Sequence, residues 1–415
     1  MTSRSSIAAS AEIPRPEPDL TPARMLERAI ALRPLLRARQ GDCEALGKVP
    51  DDVNAELIRQ GFYRIVQPRR FGGYEFDVPT FYKVMMEIAR GCTETGWVLA
   101  LTAGHPLLIA AFEPEGQAEV YGPEGEFRCP ASFSPPGTAI PVDGGYRISG
   151  AWVSASGCDH GTHYMGMAQV LQEGSEGPPS AIQMVFDASQ FTIEDDWDVM
   201  GMRGTGSKKV VVKDVFTPHR LTQPAMGFNR GAEGLNRQRY DANPMYAGRI
   251  GPFLIGEAVA VAVGAARGAL DHYEILLKTK KAQFPPFLER ARDPEFQRYY
   301  GQALALVSTA EAGLVRAGEE FMDYAREAAD GGAAFDDERE QRLTLIEQQC
   351  HRLAWDAVEL IYRTAGTSAS AKNGQPIGRV FRNMAVINTH PALQMDRFGM
   401  TAARTRLGVS PPASG

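Results

Sequence analysis

The sequence predicts an α+β protein with an N-terminal helical domain over 21–127, a central antiparallel β-barrel or sandwich over 128–225, and a C-terminal helical bundle over 246–415. Three observations carry this. Apolar residues recur at helical spacing through the first third. The middle third breaks into short alternating runs separated by Gly, Pro and Asp turn signals. The last third holds long helical runs whose ends are marked by caps and glycines.

Residues 1–20, with three prolines, are expected to form a disordered tail. Pro22 suits the first turn of a helix that puts Leu26, Ile30, Leu32, Leu35 and Leu36 near one face. Asp51 or Asp52 is expected to cap a short helix stopped by Gly61. The stretch 62–74 reads as a loop with a Gly72-Gly73 turn. Asp77 and Pro79 open a helix, and Thr93 or Thr95 caps an apolar one through residue 112. Strands are expected at 128–134, 146–154, 163–171, 180–187, 191–196 and 208–216. A linker or covering loop spans 226–245. Helices then run from Tyr246 to Lys281, from Asp293-Pro294-Glu295 to Ala329, and from Asp336 or Asp337 to Ala365, with a last helical region over 378–406.

Hydrophobic residues at 44% and charged residues at 23% are those of a soluble globular chain. A net charge of −6 argues against nucleic acid or an anionic membrane as the main partner. The longest apolar run, Trp97 to Phe112, is interrupted by Gly104, His105 and Pro106 and is too short to span a bilayer. Five scattered cysteines without a Cys-x-x-Cys pair fit a reduced, cytoplasmic protein.

Chemistry concentrates in Gly150–His163. A strand ending in Trp152 and Val153 gives way to Ser154, Ala155, Ser156 and Gly157, which suits a backbone passing close to a flat ligand; a serine-rich turn beside one core tryptophan is the alternative. Cys158, His160 and His163 would not converge on a metal from a strand. No dinucleotide fingerprint, phosphate loop, zinc-protease helix or serine-nucleophile elbow is present, and Gly201–Ser207 reads as a hairpin. His105, inside an apolar run and before Pro106, is either a core histidine bonded to a carbonyl that the proline frees or an acid–base group at a pocket. His390 also precedes a proline. The two can converge if both helical regions pack on the β domain.

The layout, with Arg70-Phe71-Gly72-Gly73, Ser134-Pro135-Pro136-Gly137, Gly150-Ala151-Trp152-Val153-Ser154, Gly201-Met202-Arg203-Gly204-Thr205, Val215-Phe216-Thr217-Pro218 and Arg379-Val380-Phe381-Arg382, resembles the acyl-CoA dehydrogenase fold over nearly the whole chain. Within it, the Trp152–His160 block and His105 resemble the reduced-flavin-dependent monooxygenases. These are the oxygenase components of two-component aromatic hydroxylases, 4-hydroxyphenylacetate 3-hydroxylase among them. His390 stands where the common acyl-CoA dehydrogenases place a catalytic glutamate, and Ile387–Ala392 contains no acid; Asp396 lies further along.

The resemblance implies reduced FMN or FAD delivered by a separate NAD(P)H-dependent reductase, with O2 as co-substrate. A flavin C4a-hydroperoxide would hydroxylate a small aromatic, phenolic substrate, and the enzyme would be a homotetramer. It implies His105, Ser156 and His390 as catalytic residues, with Ser156, or else Ser154, beside flavin N5. Trp152, Ser134, Lys281 and Phe284 are implied as further flavin contacts, and Ser132, Tyr246 and Arg249 with His105 as substrate contacts. No metal is implied. An acyl-CoA dehydrogenase, a flavin N- or S-oxygenase and a non-catalytic binding protein are the alternatives on the same fold.

Overall fold

The computed structural model describes residues 13–134, 136–171, 180–225 and 243–409. Of the expected tail, residues 1–12 lie outside these. Residues 13–20 are held: Ile13 donates its amide to the Arg70 carbonyl at 3.0 Å, and Leu20 is buried, so this stretch is anchored by burial of apolar side chains.

α1 (Pro22–Leu46) starts where the Thr21 hydroxyl accepts the Arg24 amide. In α2 (Asp51–Arg59) the two aspartates occupy the first turn and Pro50 the cap, so their charge meets the helix dipole instead of closing a hydrogen bond. α3 (Val78–Gly91) is capped by Asp77, which accepts the Thr80 amide at 3.0 Å. α4 (Thr93–Gly104) has Cys92, not a threonine, at its cap and does not reach residue 112. Pro106 has no amide for the ladder, and the chain restarts as α5 (Pro106–Ile109) and then α6 (Pro114–Tyr121).

The middle third forms one seven-stranded sheet from β1 (Gly137–Val142), β2 (Gly145–Ala155), β3 (His163–Val170), β4 (Ala181–Asp187), β5 (Thr192–Glu194), β6 (Lys208–Pro218) and β7 (Thr222–Pro224), in the order β5-β6-β2-β1-β3-β4-β7. Every neighbouring pair is antiparallel except β1 with β3, which refines the antiparallel expectation. The strand expected at 128–134 reduces to a single bridge, Ala131 to Met165. The real strand begins at Gly137, read from sequence as part of a turn; a Cβ there would lie 2.6 Å from the Trp152 ring, so glycine is what lets β1 cross that ring. Trp152 lies at the centre of this sheet's own core, near the rings of Tyr164 and Phe186, with Nε1–H donated to the Met167 carbonyl at 2.9 Å.

The C-terminal third contains α7 (Ile250–Thr279), α8 (Pro294–Ala329), α9 (Asp337–Ala365), α10 (Thr367–Ser370), α11 (Pro376–Ile387) and α12 (Met395–Leu407). Asp293 and Asp336 cap α8 and α9, accepting the Glu295 and Arg339 amides. α7 begins later than expected because Pro244–Ala247 make a separate tight turn. The final region splits in two around Pro391. α7 is long and apolar enough to cross a membrane, but 89% of its apolar window is buried inside the protein. It packs on α3, α4, α8 and α9. The N- and C-terminal helices therefore share one hydrophobic core, distinct from that of the sheet.

Candidate active site

A cavity of about 500 Å³ opens where the three parts of the chain meet. Trp97, Leu101 and His105 come from α4 and its end, Ala131–Ser134 from the segment before β1, and Val153, Ser154 and Ser156 from the end of β2. The loop before β6 adds Trp197, Met202, Thr205 and Ser207. α7 adds Leu254, Glu257 and Ala258, and the end of α11 with the turn after it adds residues from Val386 to Ala392, His390 included.

The end of β2 is built to expose its serines. A register shift between Trp152 and Ala155 marks a bulge, and Ser154 sits inside it at φ +61°. That left-handed conformation is strained for a residue with a Cβ and occurs where a bulge re-aims side chains. Trp152 and Ala155 both point into the sheet core, while Ser154 and Ser156 line the cavity.

Ser156 ends a directed chain of hydroxyls. Thr205 donates Oγ1–H to the Met202 carbonyl at 2.7 Å, a carbonyl that also accepts Trp197 Nε1–H at 2.9 Å. Thr205 therefore accepts from Ser207 at 2.6 Å, and Ser207 accepts from Ser156 at 2.8 Å. Ser156 in turn accepts Trp97 Nε1–H at 3.1 Å. Its one hydrogen is committed to Ser207, so only a lone pair is left for a ligand. Beneath the turn, the Gly204 amide donates to Glu94 Oε1 at 2.8 Å and the Cys43 thiol to the Gly204 carbonyl, while the Met202 amide donates to Asn383 Oδ1 at 2.6 Å.

The two histidines are set in opposite tautomers by their backbone partners. His105 Nδ1 lies 2.5 Å from the Cys129 carbonyl, which can only accept, so Nδ1 carries the proton and Nε2 is bare. Both sequence readings of His105 meet here: it is buried and carbonyl-bonded, and it lines the cavity. The carbonyl, however, is not one that Pro106 frees. His390 Nδ1 accepts the Ala392 amide at 3.3 Å, leaving Nε2 as the protonated nitrogen, and its ring meets Trp97 edge-on at 5.4 Å. Burial lowers both pKa values to about 4, so both rings are neutral at pH 7.

Other sequence-predicted residues fall elsewhere. Ser132 and Ser134 line the cavity, and Ser132 donates to the Val153 carbonyl at 2.6 Å. Trp152 is not in the lining, because strand alternation turns it into the sheet core; Trp97 supplies the indole wall instead. Tyr246 donates to the Val66 carbonyl at 2.9 Å, and Arg249 is buried against Asp337 and Glu340; neither reaches the cavity. Lys281 and Phe284 stand in an exposed turn after α7, also outside the lining. Arg239 and Tyr240, in the expected covering loop, lie outside the described residues. Cys158, His160 and His163 bond separately to Gly206, Val49 and Thr162. Thr205, Ser207, Trp97 and Glu257 carry no site role in the sequence reading.

Comparison with known proteins agrees with this architecture. Residues 257–395 match the family model for the acyl-CoA dehydrogenase C-terminal domain. The chain is 33% identical to the oxygenase subunit HsaA of a flavin-dependent monooxygenase from Rhodococcus jostii, over 90% of this chain and 95% of that one. It is 29% identical to the oxygenase component of an FADH2-dependent resorcinol hydroxylase from a Rhizobium species, over 96% and 97%. The crystal structure of 3-HSA hydroxylase from Rhodococcus sp. RHA1 superposes with a TM-score of 0.84 at 28% identity, covering 93% of this chain and 97% of that one. By this likeness over almost its full length, the chain belongs to the flavin-dependent monooxygenases, as an oxygenase subunit on the acyl-CoA dehydrogenase fold.

Proposed function

We propose that this protein is the oxygenase component of a two-component hydroxylase, taking reduced FMN or FAD from an NAD(P)H-dependent reductase and using O2 to hydroxylate a small phenol. The observation that carries the reading is the pair of opposite histidine tautomers in one cavity with a serine that can only accept. The cavity suits a flat ring with a polar edge, since Trp97 and Trp197 supply apolar walls and Ser156 keeps an unused lone pair. Reduced flavin, when bound, supplies the two electrons by which one oxygen atom of O2 becomes water while the other enters the substrate.

The residues then divide the work. Ser156 accepts the flavin N5 hydrogen and so holds that proton against loss; Ser154 is the second choice for this role. His105 Nε2 accepts the phenol hydrogen. Because burial holds this imidazole neutral, it polarises the O–H bond and enriches the ring carbon without forming a buried ion pair. His390 Nε2–H donates to oxygen from the opposite wall. Ser132 and Ser134 add polar contacts at the rim, and the packed indoles keep water out. Assembly as a homotetramer would bring the exposed Lys281 and Phe284 of one copy to the flavin of another.

The test loads the protein with reduced FMN, and separately FAD, under nitrogen and mixes it with O2 and a panel of phenols. Hydroxylated product is expected, and His105→Asn is expected to divert turnover to hydrogen peroxide. Flavin oxidation at the free-solution rate, with no product from any phenol, refutes the reading.

A further inference from the structure

Glu257 is used by none of these roles, yet it lines the same cavity from α7. It is 1% exposed, and neither carboxyl oxygen has a hydrogen-bond partner among the described residues. Buried polar groups are almost always paired, so a carboxyl with both atoms vacant calls for an explanation. No salt-bridge partner stands beside it among the described residues, and burial pushes its pKa well up, which favours the protonated acid. A neutral carboxyl offers one donor and one acceptor side by side.

Its position is fixed by a glycine. A Cβ at Gly104 would lie 2.0 Å from Glu257 Oε2, so the carboxyl rests against the backbone immediately before His105. His105 and Glu257 both line the cavity, and the backbone that carries the one touches the carboxyl of the other. An ion at this end of the cavity would find no countercharge among the described lining residues.

We propose that Glu257 is a specificity-determining substrate contact, and that the substrate is a phenol with a second, uncharged hydrogen-bonding substituent, such as a hydroxyl or carbonyl, held at this carboxyl while its first oxygen lies at His105. The inference rests on the oxygenase reading above. It makes the vacant carboxyl a recognition group: a ligand lacking the second substituent leaves it unpaired and forfeits that hydrogen bond.

The test compares phenol with 1,3-benzenediol on the reduced-flavin-loaded protein under nitrogen, with Kd read from quenching of the indoles Trp97 and Trp197. The wild type is expected to bind the diol about three- to tenfold more tightly, the worth of one hydrogen bond. Glu257→Gln, which keeps a donor and an acceptor, should retain most of that preference. Glu257→Leu should abolish it; if leucine is not accommodated in the fold, Glu257→Met carries the same prediction. An absence of preference in the wild type means that water satisfies the carboxyl, and overturns the proposal. So does a preference that survives in the leucine or methionine variant. With binding and hydroxylation intact, either result removes only Glu257 from recognition. Failure of every phenol to bind or be hydroxylated defeats the oxygenase reading itself, and this proposal with it.

Discussion

The direction of the hydroxyl chain can be released by one substitution two hydrogen bonds away from Ser156. Thr205→Val removes the oxygen that receives the Ser207 hydrogen and that donates to the Met202 carbonyl. Trp197 still satisfies that carbonyl, so the turn keeps its main tether. With Thr205 present, turning the Ser156 hydrogen into the cavity forces Ser207 to donate back to Ser156, and Thr205 loses the hydrogen it accepts. One net hydrogen bond, about 1 kcal/mol, therefore biases Ser156 toward accepting. Removing that bias corresponds to a factor of about five in rate. Rapid mixing of anaerobic, reduced-flavin-loaded protein with O2, without substrate, should show hydrogen peroxide released about fivefold faster from Thr205→Val, with Thr205→Ser at the wild-type rate. The reasoning is refuted if the valine variant behaves as wild type, or if serine is as fast as valine.

Glu94 keeps its proton in the folded chain to about pH 8, chiefly through burial, whereas its unperturbed value is 4.5. The folded state therefore binds the extra proton between those values, and the resulting instability appears above pH 4.5, grows with pH and levels off beyond about 8. Glu94→Gln should raise the unfolding free energy by about 3 kcal/mol at pH 7 and by nothing near pH 4, as read from urea midpoints across that range. Gly104→Ala, which helix propensity alone would favour, should instead destabilise by about 1–3 kcal/mol through overpacking against Glu257, seen as a lower Tm. Arg249→Met leaves Glu340 buried without its cation and should cost about 3–5 kcal/mol, while the ratio of KM values for carboxylate-bearing and neutral phenols stays unchanged.

Local chemistry was legible where a side chain acts on its own backbone: Asp77, Asp293 and Asp336 cap the helices expected of them. That His105 and His390 line one cavity was legible as well, since each stands just before a proline, His105 inside an apolar run and His390 at a junction between helical segments. Trp152 shows where such reading stops. Its neighbours in sequence line the cavity, and only the bulge after it, a matter of register with β6, decides that the indole faces the other way. Thr205 and Ser207 read as turn residues because Ser156, to which their hydroxyls lead, lies 51 residues before Ser207, a contact that local periodicity does not encode. Glu257 did leave a trace. It is a single acid within the apolar run Ile250–Leu270, and the burial of its helix follows from the small residues that let α3 approach α7: a Cβ at Gly264 would lie 2.3 Å from the Met86 carbonyl.

The Gly201–Ser207 turn ties Ser156 to two remote parts of the chain, Glu94 at a separation of 110 residues and Asn383 at 181. During synthesis, Asn383 leaves the ribosome long after β2 and β6. A growing or truncated chain that has its sheet but lacks α11 has no side-chain acceptor for the Met202 amide, and so nothing from that side to hold the turn that orients Ser156. The geometry of the turn beside Ser156 is thereby tied to completion of the polypeptide.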